Sequence, residues 1–143
     1  MSRTQSFRGH MVNGTQERIS LHTIDGTKGY KIVKFEVMGI TENEAYESSI
    51  QIWKEEQTTL TANVDFSDNR LLGAALYHDS GAAATAGRQT VIFDNEIFNQ
   101  DIYVTFVSIA AASNINYYIE LEVFDLALDE ATVATLKDIR NSE

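Results

Sequence analysis

The side chains that most often perform catalysis are sparse in this sequence and are not spaced for it. The three histidines, His10, His22 and His78, form neither a His-x-His nor a His-Glu-x-x-His motif, which are spacings that bring imidazoles onto one zinc ion. Cysteine is absent, which excludes thiolate catalysis, disulfides and zinc–cysteine sites. A Gly-x-Ser-x-Gly elbow and a phosphate-binding glycine loop are absent as well. We therefore predict a protein that is not an enzyme and has no cofactor, no bound metal and a solvated His22.

Two acidic clusters are the best candidates for oxygen ligands of calcium. The first comprises Asp65, Asp68 and Asn69, and the second comprises Asp94, Asn95 and Glu96. Calcium takes six to eight oxygens from such loops, but the spacing does not match an EF-hand. Because Asp and Asn are also common turn formers, the pattern favours turns over calcium binding.

Charge and composition limit the classes of partner. The chain of 143 residues carries 21 acidic and 11 basic side chains, a formal net charge of −10. This excess of carboxylates disfavours nucleic-acid binding, which needs clustered Lys and Arg. No stretch approaches the roughly 20 apolar residues that span a bilayer, and residues 1–8 lack the apolar region of a secretory signal. We expect one soluble domain with neither a membrane nor a nucleic-acid partner.

The hydrophobic pattern predicts strands. Polar and apolar residues alternate in short segments separated by Gly, Asn and Asp, at residues 18–23, 30–38, 48–54, 90–93, 101–108 and 115–124. The first two segments flank Asp25-Gly26, which predicts a β-hairpin. The predicted core comprises Val33, Phe35, Val37, Ile50, Ile52, Val104, Phe106, Ile119 and Leu121.

The end of the chain changes to a helical period. Asp129 is a suitable N-cap, and residues 129–140 place Val133, Leu136 and Ile139 on one stripe. The complete pattern predicts an all-β fold, an antiparallel β-sandwich of jelly-roll type with a short C-terminal α-helix, over residues 17–143.

Aromatic residues occur where a solvent-facing side of the strands would normally be polar. They include Trp53, Tyr103, Tyr118 and Phe124. Either the helix or a long loop covers this face, or part of the face is an interface, since aromatic residues are enriched in interface cores. Exposed aromatics on a sandwich also bind sugars, and Trp53 with Tyr103 or Tyr118 is the platform that a carbohydrate-binding module would need.

The first 16 residues read as an N-terminal arm. The arm carries Arg3, Phe7, Arg8 and Met11, and it is too polar and glycine-broken to form a core of its own. It is either a frayed end or an attachment segment that binds a neighbouring subunit, for instance by adding an edge strand around Phe7. On the second interpretation, deletion of residues 1–11 leaves the domain folded but weakens its association.

Much of the chain resembles a family of small proteins encoded by marine tailed bacteriophages of the cyanophage and pelagiphage type. The resemblance lies in residues 64–75 (VDFSDNRLLGAA), 90–105 (TVIFDNEIFNQDIYVT) and 116–122 (NYYIELE), with further similarity in residues 1–38 and 130–140. It implies a virion structural protein that is assembled in the host cytoplasm, either a head decoration or cement protein or a neck or tail component. The implied partners are further copies of the protein and other virion proteins such as the major capsid protein. The alternative is a carbohydrate-binding sandwich at a tail tip.

Overall fold

The fold is built from eight described strands in two antiparallel sheets. The computed structural model describes residues 3–23, 26–40, 45–80, 88–109, 114–127 and 134–136. The strands are β1 (Arg3–Val12), β2 (Thr15–Ile19), β3 (Lys28–Gly39), β4 (Ala45–Trp53), β5 (Leu71–Ser80), β6 (Arg88–Phe93), β7 (Ile102–Ser108) and β8 (Asn114–Asp125). One sheet has the order β1-β8-β3 and the other has the order β2-β7-β4-β5-β6. The predicted antiparallel β-sandwich is confirmed.

The strand order is that of a jelly roll with one strand moved. In a jelly roll, β1, β8, β3 and β6 form one sheet, and β2, β7, β4 and β5 form the other. Here β6 pairs with β5 instead of β3. β6 still contacts β3 through a side chain, because the Val37 N–H donates to Gln89 Oε1 at 2.7 Å.

The core lies between the two sheets, on the faces that the alternation predicted, with one exception. The confirmed core residues are Phe35, Val37, Ile50, Ile52, Val104, Phe106, Ile119 and Leu121. Val33 is 40% exposed, so its prediction was wrong. A β-bulge between Ile32 and Lys34 inserts Val33 as an extra residue, which shifts the alternation and turns Ile32 inward.

The predicted hairpin across Asp25-Gly26 does not form. β2 pairs with β7 in one sheet, whereas β3 pairs with β8 in the other. Gly26 adopts a positive φ of 68°, but it lies in a connection between the sheets and not in a two-residue hairpin turn. Residue 25 lies outside the described residues.

Only residues 134–136 of the predicted C-terminal helix are described, and they are helical. Leu136 is exposed, so it does not pack as the predicted stripe required. The helix contacts the sandwich through Thr135, whose Oγ1 lies 2.7 Å from Asn99 Nδ2. The rest of the predicted helix, including Asp129, Val133 and Ile139, lies outside the described residues. No described helix is long and apolar enough to cross a membrane.

Candidate functional site

The outer face of the five-stranded sheet is covered beside Trp53. Trp53 is only 4% exposed, and its indole Nε1–H donates to Thr105 Oγ1 at 3.2 Å. The Arg70 guanidinium lies 5.8 Å from the centroid of the tryptophan ring and is held by Asp68 and Glu55. Trp53 is therefore a packed residue, and its prediction as an interaction residue was wrong.

The cover is the long connection between β4 and β5, residues 54–70. The buried Gln51 amide donates to the carbonyls of Thr61 and Asn63 at 3.1 Å each, which ties this connection to the sheet. The Lys54 N–H donates to the Arg70 carbonyl at 2.8 Å, which closes the connection at its base. The long-loop explanation for the aromatic residues on this face is correct at Trp53.

The predicted sugar-binding platform is not present. Trp53 and Tyr103 are direct neighbours across β4 and β7, but Trp53 is buried under Arg70 and Tyr103 is half-buried beside Arg18. Tyr118 lies on β8, in the opposite sheet. The three aromatic residues therefore do not form one exposed surface.

The predicted N-terminal arm is, over residues 3–12, an edge strand of the sandwich. β1 pairs with β8 along its whole length. Because side chains alternate across a strand, Met11 is fully buried and Phe7 is partly buried against the core, so both point toward the core of their own chain. Arg3 and Arg8 are exposed. Since deletion of residues 1–11 would unpair one edge of β8 and remove Met11, we expect such a deletion to impair folding.

The outer face of the three-stranded sheet is our candidate functional site. In its central row Arg8 of β1 and Glu36 of β3 flank Tyr118 of β8. The adjacent row comprises His10, Asn116 and Met38, and residues of both rows line a surface cavity of about 660 Å³. Two predicted interaction residues, Arg8 and Tyr118, thus meet at one site.

Apolar and aromatic groups continue along this face. Met38 is 67% exposed, and Val12 and Val33 are exposed as well. The Tyr118 hydroxyl donates to Glu120 Oε1 at 3.0 Å, and Lys34 Nζ lies 5.7 Å from the centroid of the tyrosine ring. These contacts hold the ring in place on the surface.

Phe124 lies on the same strand as Tyr118, six residues further along. The even spacing on β8 places it on the same face of the sheet. It is half-buried beside Gly29, where an added Cβ would come 3.0 Å from its ring.

The charges on this face balance although the chain as a whole is acidic. Three cations and three carboxylates alternate across the strands: Arg8, Lys31 and Lys34, with Glu36, Glu120 and Glu122. Their sum is zero, whereas the chain has a formal charge of −10. The repulsion that keeps acidic proteins apart is therefore reduced at this face.

A second polar cluster centres on Asp101, which is 8% exposed. Its Oδ1 accepts the backbone N–H groups of Leu21 at 2.8 Å and His22 at 3.0 Å, together with His22 Nδ1–H at 2.6 Å. Its Oδ2 accepts Arg18 Nε–H at 2.7 Å. Burial raises the pKa of Asp101, but the hydrogen bonds from His22, Leu21 and Arg18 outweigh burial and hold this pKa below its usual range.

The Asp101 cluster fixes the chain where it leaves β2 for the other sheet. His22 is exposed, as predicted, and its ring also contacts the Asp101 carboxylate, which the sequence did not predict. The local sequence pattern around His22 could not indicate this contact, since Asp101 is 79 residues away along the chain.

The two acidic clusters considered for calcium are engaged in turns and ion pairs. Asp65 Oδ1 accepts the Ser67 N–H at 2.9 Å and its hydroxyl at 2.6 Å, an Asx-turn arrangement. Glu96 pairs with the buried Lys54 at 2.6 Å. Among the described residues, no three His, Asp or Glu side chains are grouped to hold a metal ion.

Sequence reasoning missed several residues of the candidate site. His10, Glu36, Met38 and Asn116 are unremarkable in the sequence, and only the pairing of β1 and β3 with β8 brings them together.

No protein-family model matches the chain, and no curated protein matches it.

Proposed function

We propose that this protein is a non-enzymatic structural component of a tailed-phage virion and acts through protein–protein contacts. The resemblance of residues 64–75, 90–105 and 116–122 to marine phage proteins supports the virion role. The β-sandwich is consistent with it, because such a domain presents broad sheet faces to neighbours. Head decoration or cement and a neck or tail position both fit this proposal.

The observation that carries the proposal is the outer face of the three-stranded sheet. It combines a central tyrosine, exposed Met38 and a net charge of zero on a strongly acidic chain. Aromatic residues, Met and Arg are the types enriched in protein interfaces, and Tyr118, Met38 and Arg8 lie in two adjacent rows here. A surface of this composition suits a protein partner better than a nucleic acid or a membrane.

Mass spectrometry of purified virions from the source phage tests the role. We expect the protein among the virion components. A copy number near that of the major capsid protein would indicate head decoration, and a few copies per particle would indicate the neck or tail. Absence from purified virions would refute the virion role.

Incorporation of variants tests the face. We expect Met38→Asp to lower incorporation into particles, because it replaces an exposed apolar side chain of the face with a carboxylate. Ile92→Asp is the matched control, since Ile92 is 51% exposed on the outer face of the other sheet. Equal incorporation of the two variants would refute the assignment of this face.

The structure does not favour the sugar-binding alternative. It depended on an exposed platform around Trp53, and Trp53 is buried under Arg70.

A further inference from the structure

The central row of the candidate face has opposite charges at its two ends. Arg8 lies on one edge strand, Glu36 on the other, and Tyr118 lies between them. Arg8 forms no ion pair with any described residue, and the nearest cation to Glu36 is Lys34 at 4.0 Å. The row therefore has a cation on one side of β8 and a carboxylate on the other. Within one chain, neither group forms a close ion pair with a described residue.

We propose that a second copy of this chain docks on this face by a twofold axis that runs parallel to β8 through Tyr118. This inference rests on the proposed function only in that the same face makes the contact. A twofold axis in this direction exchanges the two sides of the sheet, so β1 of one copy lies over β3 of the other. Arg8 then faces Glu36 of the second copy, and the same pair forms again in reverse, as an isologous interface requires.

In the adjacent rows of this arrangement, no side chain of β1 faces a like charge on β3 of the second copy. His10 faces Met38 of the second copy, Ser6 faces Lys34, and Thr4 faces Lys31.

The carboxylates of β8 need separate compensation. Glu120 and Glu122 lie on the axis and face their own counterparts, which is unfavourable. Each has a lysine beside it on β3: Lys34 is the register partner of Glu120, and Lys31 is the register partner of Glu122, with Nζ at 3.9 Å. The face as a whole stays neutral in the dimer.

A twofold axis in the perpendicular direction lacks this complementarity. A twofold axis perpendicular to β8 through the same tyrosine would place Arg8 against Arg8 and Glu36 against Glu36. The other sheet has a comparable row of Glu47, His78 and Arg88. That row lies at the end of its sheet, whose outer face is partly covered by residues 54–70, so two copies cannot lie flat across the whole sheet.

The size of the face predicts a weak contact. Three strands spaced about 4.8 Å apart, with ten residues in β1, cover roughly 500 Å² on each copy. A standard stable interface buries roughly 800 Å² on each partner. We expect the dimer to be populated at high protein concentration or when other contacts hold the copies together, and to weaken with added salt.

Charge reversal tests the axis directly. Sedimentation equilibrium of the full chain should show self-association that Arg8→Glu or Glu36→Arg alone weakens roughly tenfold or more, because each variant has two like-charge contacts in place of two ion pairs. An equimolar mixture of the two variants should associate as the unmodified chain does, since each variant then supplies the charge that the other needs. The double variant should also recover self-association.

The other sheet supplies the matched control. Arg88→Glu and Glu47→Arg reverse the same charges in the comparable row, and we expect them to leave self-association unchanged. A monomeric unmodified chain at all accessible concentrations, no recovery in the mixture, or a response of the Arg88 and Glu47 variants would each overturn the proposed axis.

A crosslink gives a second readout. Because the chain has no cysteine, Asn116→Cys introduces a single thiol beside the axis. A short bismaleimide should join two copies of this variant and should not join two copies of Thr58→Cys, which places the thiol in the exposed β4–β5 connection. Equal crosslinking of both variants would count against the axis. The outcome is independent of whether the protein is found in virions, so failure of this inference and failure of the proposed function can be told apart.

Discussion

Replacement of Asp101 should reveal how strongly one buried carboxylate stabilises the crossing between the sheets. Asp101 accepts two backbone N–H groups, from Leu21 and His22, and side-chain donors from His22 and Arg18. Asp101→Ala removes all of these acceptors. Asp101→Asn keeps one oxygen for the backbone donors and replaces the other with an amide nitrogen that cannot accept from Arg18.

The size of the effect follows from the burial of the donors. Leu21 is buried, so its N–H would lose its acceptor without reaching water, which costs about 1–3 kcal/mol. The His22 N–H is only partly buried and adds less. We expect Asp101→Ala to lower the free energy of unfolding by about 2–4 kcal/mol. Asp101→Asn should lower it by about 1–2 kcal/mol, because a neutral oxygen is a weaker acceptor than a carboxylate.

Urea denaturation followed by tryptophan fluorescence measures both values. The slope of the unfolding free energy against urea should stay constant, so that a shift in the midpoint reports stability alone. Glu56→Ala, an exposed carboxylate in the β4–β5 connection, is the control and should be near neutral. If Asp101→Ala loses less than about 0.5 kcal/mol, the cluster does not stabilise the crossing and our reasoning is wrong.

The pH dependence of stability gives an independent check on Asp101. Its pKa in the folded protein is below its value in the unfolded chain, which is about 3.9. The stabilisation is therefore present above about pH 4 and is lost as the pH falls toward the folded pKa. Between neutral pH and pH 3, the unmodified chain should lose more stability than Asp101→Asn. Parallel stability curves for the two proteins would contradict this expectation.

Three further predictions concern packing and buried charge. Gly9→Ala should lower the thermal midpoint, because the added Cβ would lie 2.5 Å from Cε1 of the buried Tyr117 ring, and Gly9→Ser should do the same. Lys54→Met should cost about 1–3 kcal/mol in denaturant unfolding because it removes the 2.6 Å ion pair that the buried Lys54 ammonium makes with Glu96. Trp53 should be protected from acrylamide quenching until the protein unfolds, and strong quenching in the native state would show that the β4–β5 connection does not cover it.

The β-sandwich and most of its core could be read from the sequence because strand alternation is a local property. Ile50, Ile52 and Phe106 point inward wherever their strands lie in the fold, since every second side chain shares a face. Val33 departs from this alternation because a bulge is an irregularity in the pairing of two strands. The residues around Val33 do not indicate that an extra residue is inserted there.

Strand partners depended on tertiary structure. Asp25-Gly26 has the composition of a hairpin turn, yet the strands on either side enter different sheets. The turn dipeptide favours certain local backbone angles. It does not determine which of the two sheets the next strand joins, because that depends on where the strand buries more apolar surface. The carboxylate of Asp101, far away in the chain, holds the crossing in place.

The candidate face also depends partly on sequence and partly on tertiary structure. The residue types were visible in the sequence, and Arg8 and Tyr118 were identified there as interaction residues. Only the strand pairing in the three-stranded sheet decided that Arg8, Tyr118 and Glu36 form one row. Only the path of the β4–β5 connection decided that Trp53 is covered. Short-range alternation sets which way a side chain points, whereas long-range strand pairing and the path of a connecting segment set which side chains become neighbours and which remain exposed.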